Sequence, residues 1–163
     1  MTVATAAAEA AAAVRLRRIT PADFDRVVAI DALHRGAAVP GYWRDVRDNF
    51  LTRRRDSVRV ALGAEVDGEL AGFLFGEVRA FEFGSPPCGW IFAVGVDPAH
   101  QRAGIASQLL AEACRRFHAA GIATVRTMVE RRDVPVLAFF RAHGFAAGEF
   151  TQLELHLSTE APR

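Results

Sequence analysis

The fold is decided by residues 94–106, which read VGVDPAHQRAGIA. The apolar run that leads into them, residues 90–96, predicts a buried strand. Pro98 ends that strand, because proline has no N–H to give to a strand ladder. A helix is then predicted from Gly104 to a C-terminal cap at Gly121. Its apolar face recurs at helical spacing, at Ile105, Leu109, Ala113 and Phe117.

The loop before this helix is a candidate anion site. The first N–H groups of a helix lack backbone partners and lie at the positive end of its dipole, so they attract phosphate groups. Gly104 has no Cβ and lets a phosphate come close, and the small Ala103 and Ala106 keep the loop open. A plain strand–turn–helix with a packing glycine explains the same residues, since a single glycine loop is a weak motif.

The composition is that of an ordinary globular chain. The 163 residues are 51% hydrophobic and 24% charged, which is enough for one domain with a sizeable core. We predict this domain over residues 14–157, between an Ala-rich tail (1–13) and a short C-terminal tail (158–163). A net charge of +1 gives no reason to expect nucleic acid or a membrane as partner.

Several kinds of chemistry are excluded or disfavoured. All 20 residues counted as lysine or arginine are arginine, which excludes a lysine Schiff base. The two cysteines, Cys88 and Cys114, lie far apart and the five histidines show no ligand spacing, so we predict no metal. We predict a cytoplasmic location, because the sequence has free cysteines and shows neither a secretory signal nor a long apolar run.

The rest of the chain predicts more strands and helices. Strands are predicted at residues 14–19, 58–66, 69–80, 90–96, 123–129 and 150–157. Helices are predicted after Thr20-Pro21, over residues 41–54, from Gly104, and after a cap at Asp133. Asp67-Gly68 between two apolar runs predicts a tight hairpin. The order β-α-α-β-β-β-α-β-α-β indicates a mixed α/β (α+β) domain.

Two motifs in this order carry a family resemblance. Residues 101–106, QRAGIA, match a pattern of Gln or Arg, two residues, Gly, one residue, then Gly or Ala. An apolar helix ending at Gly144-Phe145 is the second motif. The sequence therefore resembles the GNAT superfamily of N-acetyltransferases over residues 14–157. The resemblance implies a central mixed, mostly antiparallel sheet flanked by helices.

The resemblance also implies acetyl-CoA as co-substrate. In this family the loop N–H groups hold the pyrophosphate, and a splayed strand pairs with the pantetheine arm, here through the backbone of Val94 and Val96. The N–H of Val96 is then expected to stabilise the oxyanion of acetyl transfer. Gly95 fits either a bulge, a close backbone approach or simple packing. The implied CoA residues are Val94, Gly95, Val96, Gln101, Arg102, Ala103, Gly104, Ile105, Ala106, Asp133, Val136 and Phe140.

The last helix departs from the family pattern. Its usual tyrosine, which protonates the leaving thiolate, aligns with Phe140, and a phenyl ring cannot donate a proton. The asparagine that often opens this helix aligns with Asp133, whose carboxylate accepts a hydrogen bond but donates none. Tyr42, the one tyrosine of the chain, is an alternative donor from the acceptor side, or an ordinary surface aromatic.

The general base has three candidates. Glu130 follows a strand whose end is expected near the acetyl group, Glu77 lies within a strand, and Glu82 lies in the connector between two phenylalanines. Water is the alternative, with positioning as the main source of catalysis. Tyr42, Glu82 and Trp90 are the candidate acceptor-lining residues.

Two functions from different classes follow. The first is an acetyl-CoA-dependent N-acetyltransferase that transfers an acetyl group directly to a primary amine of a small molecule or peptide. It is expected to use no metal, to bind neither nucleic acid nor membrane, and to form a homodimer. The second is a non-catalytic acyl-CoA sensor with the same fold, which Phe140 favours.

Overall fold

A computed structural model of the chain describes residues 13–51, 58–80 and 84–157. The chain divides into two compact units, one ending at Met128 and the other beginning at Val129. Among the described residues, the first unit holds the sheet and three α-helices, and the second holds one α-helix. Most of the predicted N-terminal tail, the whole predicted C-terminal tail and Glu82 lie outside the described residues.

The elements follow the predicted order as far as the last helix. The first unit contains β1 (Arg15–Arg18), a 3₁₀ turn (Pro21–Asp23), α1 (Phe24–Arg35), α2 (Pro40–Leu51), β2 (Arg59–Val66), β3 (Glu69–Arg79), β4 (Cys88–Val96), a second 3₁₀ turn (Pro98–His100), α3 (Ile105–Ala119) and β5 (Val125–Thr127). The second unit contains α4 (Val134–Ala142). The strand predicted at 123–129 is therefore shorter than expected, and Pro21 begins a 3₁₀ turn before α1.

The predicted final strand is wrong. Residues 150–157 form no strand, and Leu153, Leu155 and Leu157 are 90%, 84% and 82% exposed. Alternation of apolar and polar residues places the two kinds of side chain on opposite faces of a strand. A stable strand also needs a neighbouring strand to pair with. The pattern alone does not supply that neighbour.

The sheet is five-stranded, in the order β1-β2-β3-β4-β5. Neighbours are antiparallel except β4 and β5, which are parallel. The hairpin predicted at Asp67-Gly68 is confirmed, with φ values of 51° and 84°. Positive φ at both central residues is the geometry that matches the twist of the flanking strands. The mixed, mostly antiparallel sheet implied by the resemblance is confirmed.

The helices of the first unit cover both faces of the sheet. On one face Trp43 of α2 packs edge-on against Phe73 of β3, with ring centroids 5.3 Å apart. On the other face Phe117 of α3 lies so close that a Cβ at Gly89 would be 2.7 Å from its ring. Because successive residues of a strand point to opposite faces, α2 and α3 are separated by the sheet.

An ion-pair network fixes the entry into α1. Arg17 of β1 donates from Nη2 to Asp23 Oδ1 at 2.7 Å and from Nε to Glu65 Oε2 of β2 at 2.7 Å. The N–H and hydroxyl of Thr20 also donate to Asp23. The Arg17 guanidinium, followed by these Thr20 donors, lowers the pKa of Asp23 to about 2. The network joins β1, β2 and the turn before α1.

Candidate functional site

The strands β4 and β5 diverge, which opens one edge of β4. Their register pairs are Gly89–Val125, Trp90–Arg126 and Ile91–Thr127. No pair between these two strands follows Ile91 in the described structure, although β4 continues to Val96. The last part of β4 is therefore paired with β3 on one side and open on the side that β5 leaves.

The open edge presents polar backbone groups of Val94 and Val96. The N–H of Asp97 donates to the carbonyl of Ala71 at 2.8 Å, so Gly72 and Val96 form the kind of antiparallel pair that exchanges no hydrogen bonds. The N–H and C=O of Val96, and of Val94 two residues before it, therefore point away from β3. These are the two residues predicted to pair with the pantetheine arm.

A residue that the sequence analysis missed also reaches this edge. His34, at the C-terminal end of α1, places Nε2 2.7 Å from the carbonyl oxygen of Val96. A histidine near the end of a helix carries no sequence signal for this contact. The contact occupies the carbonyl of Val96 and leaves the N–H of that residue facing the open edge.

The turn after β4 is held by Asp97. Its carboxylate accepts the N–H of Ala99 at 2.8 Å and also accepts the guanidinium of Arg26 from α1. The Ala99 N–H, followed by Arg26, lowers the pKa of Asp97. The chain is thus fixed where it leaves the strand and approaches α3, beside the predicted anion loop.

The predicted anion loop has the geometry of a cradle. Arg102 and Gly104 have φ values of 68° and 72°, and residues 101–104 are exposed. Alternating backbone conformations of this kind turn successive N–H groups towards a common point. Gly104 is the N-cap residue of α3, and it has no side chain that could accept the first N–H groups of the helix. A Cβ at Gly104 would meet no atom within 4 Å. The loop therefore fits a phosphate group, with open space in front of the first turn.

Ile105, the first residue of α3, anchors this loop to the sheet. Its side chain is buried, and a Cβ at Gly72 would lie 2.9 Å from its Cγ2. Since Gly72 is the register partner of Val96, α3 begins next to the open end of β4. Ile105 can offer a ligand only its N–H.

The bulge of β4 lies at Phe92. Ala93 pairs with Phe75 and Ile91 with Gly76, which leaves Phe92 as the extra residue. The glycine at 95 has a different explanation, because a Cβ there would lie 2.8 Å from the Phe73 ring. Of the three explanations for Gly95, packing accounts for the missing side chain, and the bulge does not. Its contact with CoA stays a prediction.

A cleft of about 650 Å³ lies between α2 and the sheet face next to this bulge. We call it the α2 cleft. Its wall is formed by α2 and its floor by β2, β3 and β4. The lining residues are Tyr42, Asp45, Val46, Asn49 and Phe50 on the wall, and Arg59, Glu77, Arg79 and Phe92 on the floor.

Two of the predicted catalytic residues, Glu77 and Tyr42, line the α2 cleft. Glu77 Oε1 lies 3.1 Å from Arg79 Nε. Tyr42 is 44% exposed, and its ring packs edge-on against Trp43 with centroids 5.1 Å apart. Partial burial raises the pKa of Tyr42, so its hydroxyl keeps its proton at neutral pH. Trp90, predicted to line the acceptor site, lies beside the cleft, with the Arg79 guanidinium 4.7 Å from its ring centre.

The other predicted residues belong to the second unit. Asp133 caps α4, accepting the N–H of Val136 at 3.1 Å, as its position before Pro135 predicts. Phe140 is buried and packs against Phe145, with ring centroids 5.0 Å apart. Glu130 is exposed, and its backbone carbonyl accepts the N–H of Asp133. Their roles toward CoA or an acceptor stay predictions.

Two further observations concern the described part of the chain. Within residues 13–51, 58–80 and 84–157, no group of three or more His, Cys, Asp or Glu side chains is placed to hold a metal ion. In the same ranges, none of the helices has the length and apolar content needed to cross a membrane.

The chain is similar to known proteins across both the open strand edge and the anion loop. The Acetyltransferase (GNAT) family matches residues 23–145, so the chain belongs to that family. A mycothiol acetyltransferase of Saccharomonospora viridis is 29% identical over 143 residues, which cover 83% of this chain and 47% of the relative. A second one, of Catenulispora acidiphila, is 33% identical over 78 residues, covering 47% of this chain and 25% of the relative. The chain spans less than half the length of these curated relatives.

Solved structures share the fold. An aminoglycoside N-acetyltransferase, AAC(6')-Iy, in complex with CoA superposes with a TM-score of 0.76 at 16% identity, covering 91% of this chain and 97% of that one. A transcriptional regulator from Bacillus halodurans superposes with a TM-score of 0.73 at 21% identity, covering 89% of this chain and 100% of that one. At these identities the likeness concerns the fold.

Proposed function

We propose that the protein is an acetyl-CoA-dependent N-acetyltransferase that acts on a primary amine. The observation that carries the proposal is the open edge of β4, where the N–H groups of Val94 and Val96 point away from β3 and lead from the open loop at Gly104. Similar proteins support it, since one structural neighbour is an acetyltransferase in complex with CoA and another holds a bisubstrate analogue of CoA.

The length of the open edge supports a path for the donor. Val96 lies next to the anion loop, and the four residues back to Phe92 span about 13 Å of extended strand. A pantetheine arm that starts at the loop and follows this edge brings its thioester towards the bulge. Phe92 also lines the α2 cleft, so the acetyl group would meet an acceptor there.

This path changes the role expected for Val96. Its N–H lies at the loop end of the edge, and so we assign it to the pantetheine arm rather than to the oxyanion. The oxyanion donor is expected near the bulge, where Phe92 has no register partner in β3 or β5. Donors aimed at the developing charge give the largest benefit in acyl transfer.

The residues of the α2 cleft have complementary roles in this proposal. Acetyl-CoA supplies the acetyl group as a thioester. A neutral amine forms the N–C bond as the C–S bond breaks, so one proton must leave the amine and one must reach the sulfur. We assign the removal of the amine proton, directly or through water, to Glu77, and the donation of a proton to the thiolate to Tyr42; both residues line the cleft.

The test is a free-thiol release assay with acetyl-CoA and a panel of primary amines, run beside calorimetric titration of CoA. We expect amine-dependent thiol release and CoA binding. The chain has no lysine, so acetylation of its own ε-amines adds no background. CoA binding without thiol release for any amine contradicts the enzyme and favours the sensor, for which the buried, hydroxyl-free Phe140 is the supporting observation.

A further inference from the structure

One face of α1 lies across the end of β4. Arg26, Ile30 and His34 follow each other at four-residue spacing, which places them on the same side of the helix. Arg26 donates to the carboxylate of Asp97, directly after the strand. Ile30 is buried, and a Cβ at Gly95 would lie 3.4 Å from its Cγ2. The helix is therefore anchored to the end of β4 before it reaches His34, which is exposed in its last turn.

His34 donates a hydrogen bond to the open edge of β4. Its Nε2 lies 2.7 Å from the carbonyl oxygen of Val96, and because a carbonyl oxygen can only accept, the proton of the bond belongs to Nε2. The N–H of the same peptide group, which is that of Asp97, donates to the carbonyl of Ala71 at 2.8 Å. The peptide between Val96 and Asp97 is therefore held at both ends, by α1 on one side and by β3 on the other.

The polar groups of this edge occur in an order that matches a pantetheine arm. Counted from the loop, the edge presents the C=O and N–H of Val96 and then the C=O and N–H of Val94. Counted from its phosphate end, the arm presents a hydroxyl and then two amides, each with its C=O before its N–H. Since His34 donates to the Val96 carbonyl, the first amide C=O of the arm is directed to the Val96 N–H, and the N–H that follows it is directed to the Val94 carbonyl.

We propose that His34 is a positioning residue of the CoA site, by which we mean the loop at Gly104 and the open edge of β4. The inference rests on the proposed function. In the described structure β4 has no pair with β5 after Ile91, so the contact from α1 provides part of the support that a neighbouring strand gives elsewhere. Holding the Val96 peptide before the ligand arrives lowers the cost of ordering it on binding. His34 thus acts through the backbone, and on the arm rather than on the nucleotide.

The experiment compares CoA with ADP, which carries a pyrophosphate but no arm. Calorimetry gives the Kd of each, by competition against CoA where ADP binds weakly, and thermal unfolding without ligand shows which variants are folded. The variants are His34→Ala, His34→Asn and His34→Gln. The amide nitrogen of glutamine can reach the place of Nε2, whereas that of asparagine ends near the place of Nδ1. Leu33→Ala is the matched control, because Leu33 is the preceding residue of the same turn and is 57% exposed.

We expect His34→Ala and His34→Asn to raise the Kd for CoA about three- to tenfold, which corresponds to the loss of one neutral hydrogen bond. His34→Gln restores the bond, and so its Kd for CoA stays within about twofold of wild type, as does that of Leu33→Ala. The Kd for ADP stays within about twofold in every variant, because the pyrophosphate does not use the arm's edge.

The possible outcomes distinguish this inference from the proposed function. An unchanged Kd for CoA in a folded His34→Ala protein overturns the inference, and so does an equal loss for CoA and ADP. Tighter CoA binding overturns it as well, because His34 then competes with the arm. If neither His34→Ala nor His34→Asn folds, His34 supports the fold rather than the CoA site, and the inference also fails. A wild-type protein that binds no CoA contradicts the proposed function itself.

Discussion

Replacing Gly104 with tryptophan tests the anion loop directly. Gly104 has a φ of 72°, and a Cβ there would enter space with no atom within 4 Å. The introduced indole would therefore fill the volume in front of the first turn of α3. A side chain at such a φ costs about 1–2 kcal/mol. The smaller entropy of the unfolded chain returns about 0.4–1 kcal/mol. The net loss of folding stability is about 1 kcal/mol.

The expected loss of CoA affinity is much larger than this strain. Hydrogen bonds from N–H groups to a charged oxygen contribute about 1.5–3 kcal/mol each. Losing two of them raises the Kd for CoA at least about 100-fold. Calorimetry measures the Kd, and thermal unfolding without ligand shows that the variant is folded.

The other end of α3 provides a matched control. Gly121 has a φ of 80°, and a Cβ there also meets nothing within 4 Å. Gly121→Trp therefore has the same backbone strain and the same open surroundings, without the helix N-terminus. Gly104→Ala has the strain without the bulk and is expected to fall between wild type and Gly104→Trp. A folded Gly104→Trp protein with wild-type CoA affinity, or an equal loss in Gly121→Trp, refutes the cradle.

Three more substitutions test other parts of the structure. Tyr42→Phe is expected to lower kcat about 100-fold at unchanged CoA affinity, because the proton for the thiolate is lost; an unchanged kcat rules out Tyr42 as the acid. Phe140→Tyr is expected to leave kcat within about threefold and, because the site is buried, to lower stability by about 1–3 kcal/mol; a sharp rise in kcat would show that thiolate protonation was limiting and not supplied by Tyr42. Asp23→Asn is expected to lower stability at pH 7 by about 1–2 kcal/mol. The folded pKa of Asp23, about 2, lies below its ordinary 3.8, so this stabilisation is complete above about pH 4 and is lost as pH falls towards 2. Urea unfolding at pH 7, 4 and 2 measures the difference, and a constant gap between wild type and variant contradicts the ion-pair explanation.

Local signals predicted much of the fold. Asp67-Gly68 indicates its hairpin because both positions need a positive φ, and Ile105 and Phe117 define the buried face of α3 through helical spacing. The glycine turn that opens α3 was predictable for the same reason, since its residues are contiguous, while its role as an anion site stays a prediction. The exposed leucines after residue 150 show the limit of such signals, because pairing depends on a partner elsewhere in the chain.

The α2 cleft was not predictable, and a bulge explains why. If the hairpin register ran evenly from its turn, Arg59 would pair with Gly76. A register shift at Ala64–Glu65 moves the pair by one residue, so that Arg59 meets Glu77. A shift of one residue changes which face a side chain occupies. Neither this irregularity nor the one at Phe92 has a sequence signal. The first decides which charges lie side by side in the cleft, and the second lies at Phe92, which the cleft also includes.

The placement of α2 and α3 on opposite faces has a consequence for how such a protein diversifies. Ile105 and Phe117 fix α3 on one face, against Gly72, Gly76 and Gly89, while the α2 cleft opens on the other. Substitutions in the cleft can therefore change the preferred acceptor without moving the loop proposed to hold the donor. A mutational library confined to α2 and the cleft floor is expected to yield new acceptor preferences among clones that still bind CoA.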